Sequence, residues 1–443
     1  MLHIFTQPVQ IVFDLLRGPG IAVAVVAVIS AQSSAALAQE QTTQQLPLPA
    51  SAQVNVQNWQ VTLNSDVRYL DSTTTGQTAA RGGELRGTVV QTPFGLAISG
   101  RPTDDLKLDF GVRGGYVDSH QRNNNFDARF SGFTDTSITT TATLLSAPGF
   151  QPFVSLNANL PTGTTVLRGA QANATTDPDI SQISGFGEGT NIGPTAGVNI
   201  PINQNLIASF GVGYTDRGTF TRTGANAGLP GPGLGATSRI NPGDVLTATA
   251  SIGYQQGQLS LNAQVGVSWE STTTIDNSPF YKAGDRMQAA IGAGYAWTNE
   301  LSSRVVGSYS HFDKNKALIN PPVPAVYMLE PFNSNNDVYT VTFDTTYRIA
   351  ALAIGPTVAF TYRAHNSYDP TSFQFVPGKT VWTAGGVAQY AVTNQAFLVL
   401  RVQHAWADVD AAPSKTPFFD PNSATPALHS RTWIASFGGT IQF

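Results

Sequence analysis

The chain has no cysteine and six histidines. The first fact removes thiolate zinc sites, cysteine nucleophiles and any disulfide framework. The histidines are His3, His120, His311, His365, His404 and His429. A hydrolase would need one of them beside a serine hydroxyl or an aspartate, and no spacing ties any of them to either. No His-x-x-x-His pair or carboxylate cluster suggests a metal. Gly211-Val212-Gly213 and Gly292-Ala293-Gly294 lie in alternating, extended sequence, whereas phosphate loops need a strand-to-helix turn. The residues therefore predict no enzyme, no metal and no cofactor. What is left is a set of charges at alternate positions. The bases are Arg68, Arg86, Lys107, Arg113, Arg217, Arg286, Arg304, Arg348, Arg363 and Arg401. The acids are Asp66, Glu84, Asp109, Glu270 and Asp344. Placed along a wet pore, such charges select ions, and the excess of arginine predicts a mild preference for anions. The competing expectation is that Arg and Asp pair across strands and only stiffen the wall. A one-residue slip in any strand would move its whole set to the other face.

The elements that must carry these charges are strands. The chain ends Trp433-Ile434-Ala435-Ser436-Phe437-Gly438-Gly439-Thr440-Ile441-Gln442-Phe443. One parity is apolar and uncharged; the other is small or polar. That period of two marks a strand with one apolar and one wet face. Similar segments recur at 58-70, 84-100, 105-118, 133-146, 151-160, 190-202, 205-217, 243-256, 258-272, 284-298, 300-312, 337-349, 352-364, 379-392, 395-408 and 431-443. That is about sixteen strands, with fourteen to eighteen allowed. No apolar 3.6 period is long enough for a core helix. Pro194 and Pro356, in the recurring Ile-Gly-Pro-Thr, are expected at strand starts or bulges because proline cannot donate to a ladder.

Connections alternate short and long. Short ones include Asn203-Gln204, Gln256-Gly257, Ala350-Ala351 and Thr393-Asn394; long ones cover about 71-83, 119-132, 161-189, 218-242, 273-283, 313-336, 365-378 and 409-430. A soluble sandwich has no reason to sort its loops in this way; a transmembrane barrel does. Tyr69, Tyr116, Tyr214, Trp269, Tyr309, Tyr362 and Trp406 close strands running toward the long loops. Tyr254, Trp297, Tyr347, Tyr390 and Phe443 close those running back. Two belts of amphipathic rings suit the two interfaces of a membrane.

With these features the chain resembles Gram-negative outer-membrane β-barrels, whose last strand ends on an aromatic as this one does at Phe443. In architecture, over roughly residues 58-443, it resembles the sixteen-stranded general porins. The resemblance implies a single antiparallel all-β barrel with short periplasmic turns and long outer loops. It also makes 161-189 similar to the porin loop that folds inward and narrows the pore. Asp177, Asp179 and Glu188 are then the candidate constriction residues; a loop that stays outside is the alternative.

Composition agrees. Only 12% of residues are charged, about half the usual share, and mean hydropathy is -0.07. A net charge of -4 argues against nucleic acid as a partner. Ile21 to Ile29 is an apolar run preceded by Arg17 and followed by Ala36-Leu37-Ala38. This predicts a cleaved export signal over 1-38, a flexible polar segment over 39-57 and a barrel over 58-443. The expected location is the outer membrane. The expected function is passive diffusion of small hydrophilic solutes, and the expected partners are lipid, solutes and the machinery that assembles barrels through their last strand. A homo-oligomer is allowed. Two other functions stay open: uptake of hydrophobic or aromatic compounds, and a structural or adhesion barrel whose outer loops bind a partner.

Overall fold

The fold comes from a computed structural model that describes residues 59-77, 82-146, 149-167, 171, 174, 179-180, 187-223, 237-319, 326-372, 374-413 and 426-443. The expected export signal, the polar lead-in, Asp177, Gly185-Phe186 and the run Asn320-Pro321-Pro322-Val323-Pro324 lie outside these residues.

The strands are β1 (Trp59–Thr75), β2 (Leu85–Thr103), β3 (Leu106–Arg122), β4 (Asp127–Phe133), β5 (Thr136–Leu144), β6 (Gln151–Leu160), β7 (Asn191–Pro201) and β8 (Leu206–Arg217). There follow β9 (Phe220–Thr223), β10 (Thr237–Asn241), β11 (Val245–Gln256), β12 (Leu259–Glu270), β13 (Thr272–Ile275), β14 (Ser278–Lys282), β15 (Arg286–Ala296) and β16 (Leu301–Phe312). The last are β17 (Lys316–Ile319), β18 (Val326–Leu329), β19 (Val338–Ile349), β20 (Leu352–Arg363), β21 (Lys379–Ala391), β22 (Ala396–Val409) and β23 (Leu428–Gln442).

Most of these pair antiparallel with their neighbours in sequence. β23 then pairs with β1, from Thr62–Gln442 to Thr75–His429, so the sheet is closed. Beyond that ladder Phe443 donates its N–H to the Val61 carbonyl at 2.8 Å and accepts the Val61 N–H at 3.1 Å. β4 and β5 both pair with β3, one above the other, and form a single stave interrupted at Thr134-Asp135. Counted in this way the barrel has sixteen staves. The stave expected at 133-146 begins earlier, at Asp127. Its upper half falls within the expected loop 119-132, because Asp127 to Arg129 breaks the apolar alternation.

Closure leaves no free sheet edge, and most barrel backbone groups find their partners in the neighbouring staves. Three inner turns repeat one device. Thr298 Oγ1 accepts the Glu300 and Leu301 amides at 3.1 and 3.0 Å. Thr393 Oγ1 and Asn203 Oδ1 accept the amides of Gln395 and Asn205 at 3.1 and 2.8 Å. A short polar side chain thus satisfies donors that the tight reversal frees.

Two expectations need correction. The connections 218-242, 273-283 and 313-336 are not plain loops. They carry a separate six-stranded sheet in the order β18-β17-β14-β13-β10-β9. Its central hairpin turns through Asp276 and Asn277, at φ 49° and 65°, the two-residue turn that suits strand twist. Pro194 and Pro356 lie inside β7 and β20, not at starts or bulges. Pro194 stands opposite Leu156, while pairing of β7 with β8 skips from Ile192–Asp216 to Thr195–Gly213. Pro356 stands opposite Gly386, and pairing with β19 skips from Tyr347–Ile354 to Asp344–Thr357. In each case one ladder opens where the donor is missing.

Candidate pore and the loop inside it

Following register from stave to stave fixes which side chains share a face. Arg68 on β1, Ser436 on β23 and Arg401 on β22 form one lateral row. Arg304 on β16 stands directly opposite Asp344 on β19. Arg113 leads through Ser137, Asn159 and Asn191 to Arg217. Asp66, Lys107, Asp109, Glu270, Arg286, Arg348 and Arg363 belong to the same side by alternation along their strands. Between the charges that side is mostly Thr, Ser, Asn, Gln and Gly, with apolar residues such as Leu70, Val89, Val117 and Phe130 among them.

The opposite side carries the rings. Tyr69, Tyr116, Tyr214, Trp269, Tyr309, Tyr362, Trp406, Tyr254, Trp297, Tyr347, Tyr390 and Phe443 all fall on it. The register adds Trp382 and Trp433, and it seats His404 between Trp406 and Trp433 with centroids 4.4 and 4.5 Å away. Arg86 sits on this outward side, opposite Thr73 and Arg122, and not with Arg68. Its guanidinium meets Glu84 at 2.6 Å. A charge is tolerated there because Arg86 precedes the apolar stretch Val90 to Ile98 of β2 and stands at the strand's outer end.

The inward side is identified by what lies against it. Ile180, from the longest connection, packs against the buried residues Leu70, Val89 and Val117, beside Ile434. Ala174 and Leu167 of the same connection pack with Ala128 and Phe130 of β4. All of these strand residues share the face of Arg68. A loop in contact with one face of a closed barrel on β1, β2, β3, β4 and β23 is inside it.

Two carboxylates hold this loop. Asp179 takes a bidentate grip from Arg363, at 2.5 and 3.2 Å, and a third contact from Lys379 Nζ at 2.9 Å. Burial pushes its pKa up, but the bonds and charges of Arg363 and Lys379 outweigh this and hold it below the ordinary value. Asp135, in the break between β4 and β5, is 3% exposed. It accepts the Gly163 amide at 3.0 Å, the Gly187 amide at 2.5 Å, the Glu188 amide at 3.1 Å and Asn159 Nδ2 at 2.9 Å. Both feet of the loop are thus fastened to one side chain. Gly187 and Gly189 take φ +63° and +81° in the returning foot, backbone that glycine adopts without strain. The Thr165 hydroxyl donates to the Thr221 carbonyl of β9, tying the loop to the outer sheet.

Among the constriction candidates, Asp179 is a tether, Glu188 contributes its amide at the foot, and Asp177 lies outside the described residues. Sequence reasoning missed Asp135, Ile180 and Lys379. Lys379 opens a strand that was read correctly, so its position was available. Asp135 gave no signal, because a stave broken in mid-course has no sequence mark.

Many of the charges pair. Arg68 meets Asp66 at 2.5 Å, Lys107 meets Asp109 at 2.9 Å, and Arg217 meets Glu270 at 3.1 Å. Arg217, Glu270 and Arg286 border a cavity of about 360 Å³ in the upper lumen, with Thr247, Ser268 and Gln288. Arg286 also lies 4.8 Å over the Phe312 ring. Arg348 and Arg401 make no ion pair among the described residues.

Histidines pair with aspartates at the outer rim. His120 meets Asp127 at 2.8 Å, His311 meets Asp337 at 2.6 Å and Asp313 at 3.3 Å, and His429 meets Asp408 at 2.6 Å. Among the described residues no serine hydroxyl hydrogen-bonds to any imidazole, and no group of His, Asp and Glu is arranged to hold a metal.

The chain is a closed antiparallel β-barrel of sixteen staves, apolar and ring-bearing on one face and polar on the other. No protein-family model matches its sequence, and no curated protein does. Among solved structures it is similar to a Pseudomonas aeruginosa FadL homologue, at 12% identity and TM-score 0.43, covering 87% of this chain and 90% of that one. It is also similar to an anion-selective porin from Comamonas acidovorans, at 12% identity and TM-score 0.37, covering 87% and 100%. The TodX monoaromatic hydrocarbon channel, as a deletion mutant, shows 10% identity and TM-score 0.40 over 88% and 91%. Such distant superpositions go no further than general architecture, and what the chain does has to be argued from its own wall.

Proposed function

We propose that the barrel is an outer-membrane channel for passive diffusion of small hydrophilic solutes, narrowed from within by the loop 161-189 and mildly selective for anions. The observation that carries this is the charge left over on the inward face. Asp66, Asp109, Glu270 and Asp179 are each engaged by a cation, and Arg348 and Arg401 are left without an ion pair. Fixed positive charge along an aqueous path favours anions, and a barrel of this strand number is wide enough for water. The residues argue for passage and not for catalysis.

Transport of hydrophobic compounds finds less support. The apolar wall formed by Leu70, Val89, Val117 and Phe130 is covered by Ile180, Ala174 and Leu167, so it anchors the loop and does not line the path. The outer sheet keeps a binding role for the loops in view. The terminal strand, closed onto β1 through Phe443, suits recognition by barrel-assembly machinery.

The test is single-channel recording of the refolded mature chain in a planar bilayer under a salt gradient. Stable steps with an anion-leaning reversal potential are expected. A cation-leaning potential would overturn the charge argument, and a correctly folded barrel without current would overturn the channel.

A further inference from the structure

The outward face carries charge as well as rings, and it does so unevenly. Among the described barrel strands, every arginine or lysine on the lipid side lies on one arc of neighbouring staves: Arg431 on β23, Arg86 on β2, Arg122 on β3 and Arg129 on β4. All four are exposed. One lateral row reads Arg431, Thr73, Arg86, Arg122 and Asp127. The row below it holds Asp71, Thr88, His120 and Arg129.

Arg86 and Arg122 are direct cross-strand neighbours. Like charges so placed repel. Arg86 is paired with Glu84, whereas Arg122, Arg129 and Arg431 make no ion pair among the described residues; Asp127 stands opposite Arg122, and Asp71 and Asp118 share the face. The arc sits at the outer ends of its strands. Tyr69, Tyr116 and Trp433 lie below it on the same face, and Trp406 stands beside Arg431. Cations at this height face headgroups, not acyl chains. From Arg431 to Arg122 is three strand spacings, about 14 Å. A single phosphodiester cannot bridge that distance, whereas a headgroup bearing several phosphates can.

We propose that this arc is a binding site for the phosphorylated glycolipid of the outer leaflet, with Arg86, Arg122 and Arg129 taking its phosphates and Arg431 the flank. Guanidinium groups suit this role, because their fixed fork of donors matches phosphate oxygens. The site is separate from the lumen and does not depend on what the pore conducts.

The experiment is native mass spectrometry of the full refolded chain in detergent, titrated with bisphosphorylated lipid A, dephosphorylated lipid A and phosphatidylglycerol. Bisphosphorylated lipid A is expected to bind in a one-to-one complex. The R86Q/R122Q/R129Q variant is expected to lose about tenfold or more in affinity, with heat-modifiability and single-channel conductance unchanged. Loss of two charges elsewhere, in R222Q/R239Q of the outer sheet, is expected to leave binding intact. Equal binding by wild type and the arc variant would overturn the proposal. So would phosphatidylglycerol binding as tightly as lipid A. Should the arc variant fail to fold, the unaltered protein still decides: equal affinity for bisphosphorylated and dephosphorylated lipid A would overturn the site.

Discussion

Single side chains decide whether the loop stays in the lumen. Asp179 serves two cations at once, so its removal takes a carboxylate from both Arg363 and Lys379. D179N is expected to raise single-channel conductance and add flicker, read directly in bilayer recordings. The same tether sets a pH dependence. A carboxyl whose pKa is lowered in the folded state holds its contact at full strength above its ordinary value, about 3.9. It loses that contact as pH falls through the lowered value. Conductance is therefore expected to be flat from neutrality to about pH 4 and to rise below it, and D179N should abolish that rise. Asp135 acts differently. D135A would leave the Gly163, Gly187 and Glu188 amides without their acceptor, at about 1–3 kcal/mol for each group that stays buried. Faster protease cleavage within 161-189, with the barrel still heat-modifiable, is the expected outcome.

Strands were far more legible than the parts that join them. Alternation held the staves to within a few residues because lipid on one side and water on the other impose period two along every stave. The ladders bring the assigned charges to one face except Arg86 and its partner Glu84, which stand at the outer end of β2, ahead of its apolar stretch, where alternation no longer reports on lipid. The outer sheet was missed for a related reason. β9, β10, β13, β14, β17 and β18 are four or five residues long and feel no bilayer, so no alternation announces them. One signal was present: Asp276-Asn277 between Thr272–Ile275 and Phe280-Tyr281 has the composition of a primed hairpin turn. Both residues hold positive φ. N277V is expected to weaken that hairpin by about 1–3 kcal/mol and leave the barrel's thermal transition in place. Hydrogen exchange of the β13 and β14 amides against those of β12 measures the difference. The loop tethers were illegible because the contacts that fix them come from residues far apart in the chain.

At the scale of the whole molecule, closure and charge are the two global properties. Phe443 completes the ladder between the first and last staves. Deleting it is expected to lower the yield of heat-modifiable barrel while sparing the conductance of the molecules that do fold. Counting folded barrels against channel amplitude separates the two effects. The overall charge of the path rests on few residues. R348Q/R401Q is expected to move the reversal potential toward neutrality with little change in step size, because neither arginine grips the loop. Asp179 is separated by 184 residues from Arg363, and Ile180 rests on staves from both ends of the chain. The loop therefore cannot find its seat until the first and last thirds of the sequence stand side by side. An unfinished barrel would hold the wider hole and the finished one the narrower, so narrowing becomes a signal of completion. Conductance followed during refolding would fall at the final step, when the molecule shuts its own door behind the last strand.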